Sequence, residues 1–113
     1  MSNVNKSQIL KNWEEIHKQG MLMFWLLTVL QKQAADVDTI QISIQELSRK
    51  TFSVTEQSLY RSLRKYLQQG LVDYSLEPSS KGPNKKVWFL TETGELVYKD
   101  FVKKNIKPLA DIT

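Results

Sequence analysis

The 113-residue sequence has no cysteine and a single histidine. Without thiols there is no disulfide framework and no thiolate metal site. His17 alone cannot build a cluster of imidazole ligands. Only four glycines are present, at 20, 70, 82 and 94, and none falls in a phosphate-cradling loop pattern. Long apolar runs are missing too: the strongest, Met21 to Leu27, is far too short to span a bilayer. The first residues, MSNVNKSQ, lack the charged and apolar blocks of a secretory signal. These absences lead to the expectation of a soluble, intracellular, cytoplasmic protein with no cofactor and no metal. No nucleophile–base pair, metal set or phosphate loop is visible, so an enzyme is not expected.

What is present is charge in one place. The net charge is +4. Residues 1–48 carry four Lys against five acids, residues 49–86 carry eight basic residues against three acids, and residues 87–113 carry four of each. The whole excess lies in the middle of the chain, as a binder of polyanions requires. A merely solvated basic face would have the same composition, so charge alone does not decide.

Periodicity supplies the elements. Residues 7–34 read as helix, with Ile9, Trp13, Ile16, Gly20, Met23, Leu27, Leu30 and Ala34 at alternating steps of four and three and Ser7 as N-cap. At Gly20 the helix either breaks or packs its backbone closely against a neighbour. Between Met21 and Leu30 only Thr28 is polar, the mark of a helix buried on several sides. Asp36-Val37-Asp38 reads as a loop. Ile40, Ile42 and Ile44 alternate with Gln41 and Ser43, which predicts a short half-buried strand. Ser43-x-x-Glu46 then reads as a capping box opening a short helix from about Ile44 to Lys50 or Thr51. A turn over 51–54 leads to a helix beginning near Thr55, with Ser53 and Thr55 as competing caps. Leu59, Leu63, Tyr66 and Leu67 form its buried stripe and Gly70 its C-terminal stop.

Leu71–Glu77 and Lys86–Thr91 read as two strands around a polar loop, Pro78 to Lys85. The run Val87-Trp88-Phe89-Leu90 suggests a strand covered on both faces. Thr91 or Thr93 caps a last helix bearing Leu96, Val97 and Phe101, with Pro108 beyond its end. The expected organisation is one domain over 1–113: an N-terminal helical region (1–34), a helix-turn-helix (43–69), a wing (71–91) and a C-terminal helix (92–107). The fold class is mainly α with a small β-hairpin wing (α+β), a winged helix-turn-helix with an N-terminal helical extension.

On a helical wheel, residues 55–69 place Gln57, Ser58, Arg61, Arg64, Lys65 and Gln68 opposite the buried stripe. Arg and Gln make paired hydrogen bonds to guanine and adenine edges, and Lys and Ser suit phosphate oxygens. The helix start at Thr55 offers free backbone N–H groups to a phosphate. Tyr60 lies at the flank, either a core edge with its hydroxyl in water or a phosphate contact. The hairpin, with Lys81, Lys85 and Lys86, could reach along the backbone beside the groove. The candidate contacts to double-stranded DNA are therefore Thr55, Gln57, Ser58, Tyr60, Arg61, Arg64, Lys65, Gln68, Lys81, Lys85 and Lys86. For a homodimer the candidates are Ile9, Trp13, Ile16, Val97 and Phe101, with intramolecular packing as the alternative.

Four segments carry a resemblance over about Gly20 to Gly94: Ser58-Leu59-Tyr60-Arg61-Ser62-Leu63, Gln69-Gly70-Leu71-Val72, Gly82-Pro83-Asn84-Lys85-Lys86-Val87-Trp88-Phe89-Leu90-Thr91 and Glu92-Thr93-Gly94. In this order and spacing the chain resembles the PadR-like transcriptional regulators, with their T-L-Y-P-x-L helix start, E-G-L-I turn, G-P-x-R-K-x-Y wing and L-T-x-x-G motif. The resemblance implies a homodimeric winged helix-turn-helix repressor acting on a palindromic or repeated DNA site. Under it Tyr60 matches the helix tyrosine, Lys85 and Lys86 the basic wing, and Gln57, Ser58 and Arg61 the groove-facing side. By the same analogy a small-molecule effector would sit beside Trp25 or Trp88. Arg61 replaces the family's proline, Ile42 to Leu47 replaces its H-G-Y-x-I motif, and a helical extension precedes Gly20. Alternatives left open by the residues are a replication-terminator, plasmid-partition or mobile-element protein, and a winged helix used for protein–protein interaction.

Overall fold

Where isoleucines alternate at Ile40, Ile42 and Ile44, the chain is helical. The computed structural model describes residues 5–112 and has five α-helices and one hairpin: α1 (Lys6–Lys18), α2 (Met21–Lys32), α3 (Val37–Leu47), α4 (Glu56–Gln68), β1 (Val72–Ser79), β2 (Gly82–Leu90) and α5 (Glu92–Phe101). The fold is the expected one, mainly α with a β-hairpin wing, but several boundaries move.

The predicted helix over 7–34 is two helices. Gly20 takes a φ of 80° and separates α1 from α2. Asn5, not Ser7, caps α1 by accepting the Gln8 N–H at 3.0 Å. The strand predicted at 40–44 does not exist. Asp36 caps a helix there, its Oδ1 accepting the Thr39 N–H at 2.9 Å. Val37, Ile40 and Ile44, spaced three and four apart, turn into the core, while Ile42 is 57% exposed. Ser43-x-x-Glu46 lies inside α3 and caps nothing, and the helix-turn-helix spans 37–68 rather than 43–69. The strand-like pairing is instead at Ala35, which exchanges two backbone hydrogen bonds of 2.9 Å with Trp88. That exchange ties the wing to the start of α3.

Thr55 wins the competition to cap α4, accepting the Ser58 N–H at 3.1 Å. At its far end Gly70 adopts a φ of 77°. Leu71 N–H reaches back to Tyr66 O and Gly70 N–H to Leu67 O, so the orphan carbonyls of the last turn are paired. The end of α3 has the same bonds, from Lys50 to Gln45 and from Arg49 to Glu46, but without a glycine. Arg49 and Lys50 sit there at φ 52° and 65°.

The hairpin zips further than the sequence suggested. Antiparallel pairing runs from Val72↔Leu90 to Ser79↔Gly82, leaving Ser80 and Lys81 as the turn. β2 is not covered on both faces: Trp88 is 2% exposed, but Phe89, its neighbour on the other face, is 37% exposed. Thr91 caps α5 by accepting the Gly94 N–H at 3.0 Å. Beyond α5 a π-helical turn (Val102–Ile106) and a 3₁₀ turn (Lys107–Asp111) carry the helical backbone past the expected end. Pro108 opens that last turn, where its missing N–H is no loss.

One core joins these elements. Leu26 of α2, Ile40 and Ile44 of α3, Leu59 and Leu63 of α4, Val72 of β1 and Trp88 of β2 are all but inaccessible. Helix α1 contributes nothing to it. Among the described residues no helix is long and apolar enough to cross a membrane.

Candidate nucleic-acid interface

The amphipathic sequence of α4 fixes which side chains it offers to solvent. Burial of Leu59, Leu63 and Tyr66 turns the opposite side outward. Gln57, Arg61, Arg64 and Gln68 are spaced four, three and four apart, so they form a single exposed stripe, with Lys65 beside it. Among the described residues none of Arg61, Arg64 and Lys65 is in an ion pair, which leaves their donors directed at water. Ser58 is half-buried, and its Oγ accepts from the Thr55 hydroxyl at 3.0 Å. Thr55 and Ser58 thus build the helix start. Tyr60 is 41% exposed. Burial of its ring pushes the hydroxyl pKa up, and Glu56, Asp38 and Asp36 add to the effect, so it remains a protonated donor.

The three wing lysines differ in their partners. Lys81 is in the turn. Lys85 and Lys86 are consecutive residues of a strand, so they leave opposite faces of the hairpin. Lys86 lies over the Tyr74 ring, 4.6 Å from its centroid, on the face that also carries Trp88. Lys85 stands across from Glu77 in the register, yet its ammonium goes to the Asp36 carboxylate at 3.1 Å. Sequence reasoning missed Asp36. Its signal was present: an Asp directly before apolar residues spaced three and four apart, with an N–H to cap three residues on. Hydrogen bonding from Thr39 holds the Asp36 pKa below the ordinary carboxylate value, and Lys85 contributes.

Between the wing and the helix starts lies an open cleft of about 660 Å³. One wall carries Asp36, Asp38, Glu56 and Tyr60, the other Ser79, Ser80, Lys81, Asn84, Lys85 and Lys86. The cleft places the candidate wing residues and the first turn of α4 on one side of the molecule.

The candidate dimer residues are exposed. Ile9, Trp13 and Ile16 of α1 are 54%, 70% and 67% accessible, and Val97 and Phe101 of α5 are 41% and 45%. Val97 and Phe101 also line an apolar hollow of about 110 Å³ with Gly20, Met23, Phe24, Leu27 and Tyr98. Neither Trp25 nor Trp88 lines it. Tyr98 fixes α5 to α2 through a 2.9 Å hydrogen bond with the Thr28 hydroxyl.

Gly94 explains one short motif of the sequence. A Cβ added there would lie 2.0 Å from the carbonyl oxygen of Leu71, so only glycine lets the first turn of α5 approach the start of β1 so closely.

The profile of the transcriptional regulator PadR-like family matches residues 26–100, from α2 through α5. The structure is similar to that of PadR from Bacillus subtilis in complex with operator DNA, at 20% identity and a TM-score of 0.69 over 76% of this chain. The chain spans about half of that protein, 48% of its length. It is also similar to a PadR-like transcription factor from Bacteroides fragilis, at 27% identity and a TM-score of 0.67, covering 89% of this chain and 94% of that one. A PadR family regulator from Eggerthella lenta is 19% identical with a TM-score of 0.72, covering 93% and 88%. No curated protein sequence matches the chain. The profile match over most of the chain, on a winged helix-turn-helix with an exposed basic stripe on α4, establishes that the protein belongs to the PadR-like family of transcriptional regulators.

Proposed function

We infer that the chain is a homodimeric, sequence-specific repressor that binds double-stranded DNA through α4 and the wing. The observation that carries the reading is the exposed face of α4. Gln57, Arg61, Arg64 and Gln68 form a stripe without an acid and without an internal ion-pair partner among the described residues. Arg and Gln at that spacing suit base edges, while Lys65, Lys81 and the protonated Tyr60 hydroxyl suit phosphates. Thr55 and Ser58 act mainly by building the helix start that enters the groove. In a two-fold dimer the two α4 helices meet successive major grooves about 34 Å apart, which selects a palindromic or repeated site. The similar structure of Bacillus subtilis PadR in complex with operator DNA supports the DNA-binding part of this reading.

Selection of bound duplexes from a random pool, with the oligomeric state measured alongside, tests this reading. The expected result is a two-fold symmetric or repeated site bound by two chains. Absence of any duplex affinity at low salt would overturn it. Sites that overlap promoters support repression, whereas sites gathered at an origin or terminus point to a replication role.

A further inference from the structure

The ion pair across the cleft bears on how the wing meets DNA. Lys85 is the wing cation nearest the start of α3, and its ammonium is 3.1 Å from Asp36 Oδ2. The other carboxylate oxygen of Asp36 accepts the Thr39 N–H. The aspartate is therefore held at both oxygens, with its side chain 22% accessible against 48% for Lys85. Asp38 and Glu56 line the same wall. A phosphate entering the cleft must take Lys85 from a fixed carboxylate and face negative charge as it does so. Lys86 is also partnered, over the Tyr74 ring. Of the three wing lysines, Lys81 alone has no acid or ring partner among the described residues.

We propose that Asp36 is a specificity-determining residue: by pairing with Lys85 it withholds a wing cation from phosphate and limits the sequence-independent part of DNA affinity. The proposal rests on the DNA-binding reading above. Phosphate contacts carry essentially all non-specific affinity and no base information. Holding one such contact in check leaves a larger share of the discrimination to the α4 stripe. The wing does not need the pair for its placement, because the Ala35–Trp88 backbone exchange already anchors it.

Asp36→Asn in the full chain is a clean probe, because asparagine caps a helix as well as aspartate does but carries no charge. Asp36→Ser, another strong cap, serves as a second variant should the first disturb folding. Binding to a random-sequence duplex is measured across a range of salt concentrations, in the wild-type and Lys85→Ala backgrounds. The expected result is a gain of about two- to five-fold from Asp36→Asn, the scale of an exposed ion pair. The salt dependence should steepen by up to about one unit of slope. In the Lys85→Ala background the gain should vanish. An equal gain with Lys85 absent would assign the effect to general repulsion and overturn the proposal, and so would a loss of affinity, which would make the pair a positioning device. Wild-type binding left unchanged by Asp36→Asn overturns the proposal alone. No wild-type binding at all overturns the DNA-binding reading and the proposal with it.

Discussion

Arg61 and Lys81 carry the same charge, but the proposed binding mode gives them different work. Arg61 lies in the middle of the α4 stripe with its planar donors unpaired among the described residues, suited to two acceptors on one base edge. Lys81 sits in the two-residue wing turn, and in the proposed binding mode it meets the sugar–phosphate backbone. Arg61→Ala is expected to weaken binding to the preferred duplex by about 1–3 kcal/mol and to relax its sequence preference. Lys81→Ala should weaken all duplexes alike and reduce the salt slope by about one. Competition titrations with selected and random duplexes at several salt concentrations separate the two outcomes. Arg49 poses a stability question of its own. It occupies the left-handed position that ends α3, where Gly70 serves the equivalent turn of α4. An L-residue in that conformation costs roughly 1–2 kcal/mol, against a smaller entropic cost for glycine. Arg49→Gly is expected to stabilise the fold by about 0.5–1 kcal/mol, read as a higher midpoint in urea. A lower midpoint would show that the Arg49 side chain supplies more than its backbone strain removes.

At the scale of elements, α3 shows how far the sequence could be read and where it misled. Ile40, Ile42 and Ile44 satisfy a period of two, and Ser43-x-x-Glu46 imitates a helix start, so strand followed by helix was a consistent interpretation. The competing pattern was Val37, Ile40 and Ile44 behind an Asp36 cap, and it prevailed because it buries three residues against α2 and α4 while satisfying the first-turn amide. The two patterns make opposite predictions for Ile42. On a strand it would share the buried face of Ile44, but on α3 it is exposed. Ile44→Ala is therefore expected to cost about 2–5 kcal/mol, and Ile42→Ala to stay within about 0.5 kcal/mol. Urea denaturation of both variants checks the pair, and equal losses would contradict the helix. The exposed stripe of α4 was legible because its caps, its buried period and its glycine stop all agreed. The wing was legible as a hairpin but not in the disposition of its lysines. Their partners, Asp36 and Tyr74, lie 49 and 12 residues away in sequence, and only the folded chain brings them near. The exposure of Phe89 was hidden for a similar reason, since an unbroken apolar run does not say which face the core takes.

The whole molecule is too extended to be a closed globule. Its principal extents are 61 × 33 × 22 Å and its radius of gyration is 16.8 Å, against about 13 Å for a compact chain of this length. Two ends stand outside the core: the C-terminal turns Val102–Ile106 and Lys107–Asp111 bury none of their residues, and neither does α1, which leaves the body at Gly20 and shows Ile9, Leu10, Trp13 and Ile16 to solvent. Single apolar residues on a surface need no explanation, but four on one short helix, with a Trp 70% accessible among them, form a patch that favours association. At the same end, Val97 and Phe101 of α5 leave an apolar hollow beside Gly20. A second copy could cover both surfaces at once, and two-fold pairing would set the α4 helices for successive grooves. Deletion of residues 1–19 tests this without touching the core, since among the described residues every buried apolar one lies from Leu26 onward. The truncated chain is expected to keep the cooperative unfolding of the winged domain and to sediment as a monomer where the full chain sediments as a dimer. Its affinity for a two-site duplex should then fall toward that for a single half-site, because two linked half-sites gain from a high effective concentration that separate chains lose. A truncated chain that still sediments as a dimer would remove α1 from the interface and leave α5 as the surface that pairs.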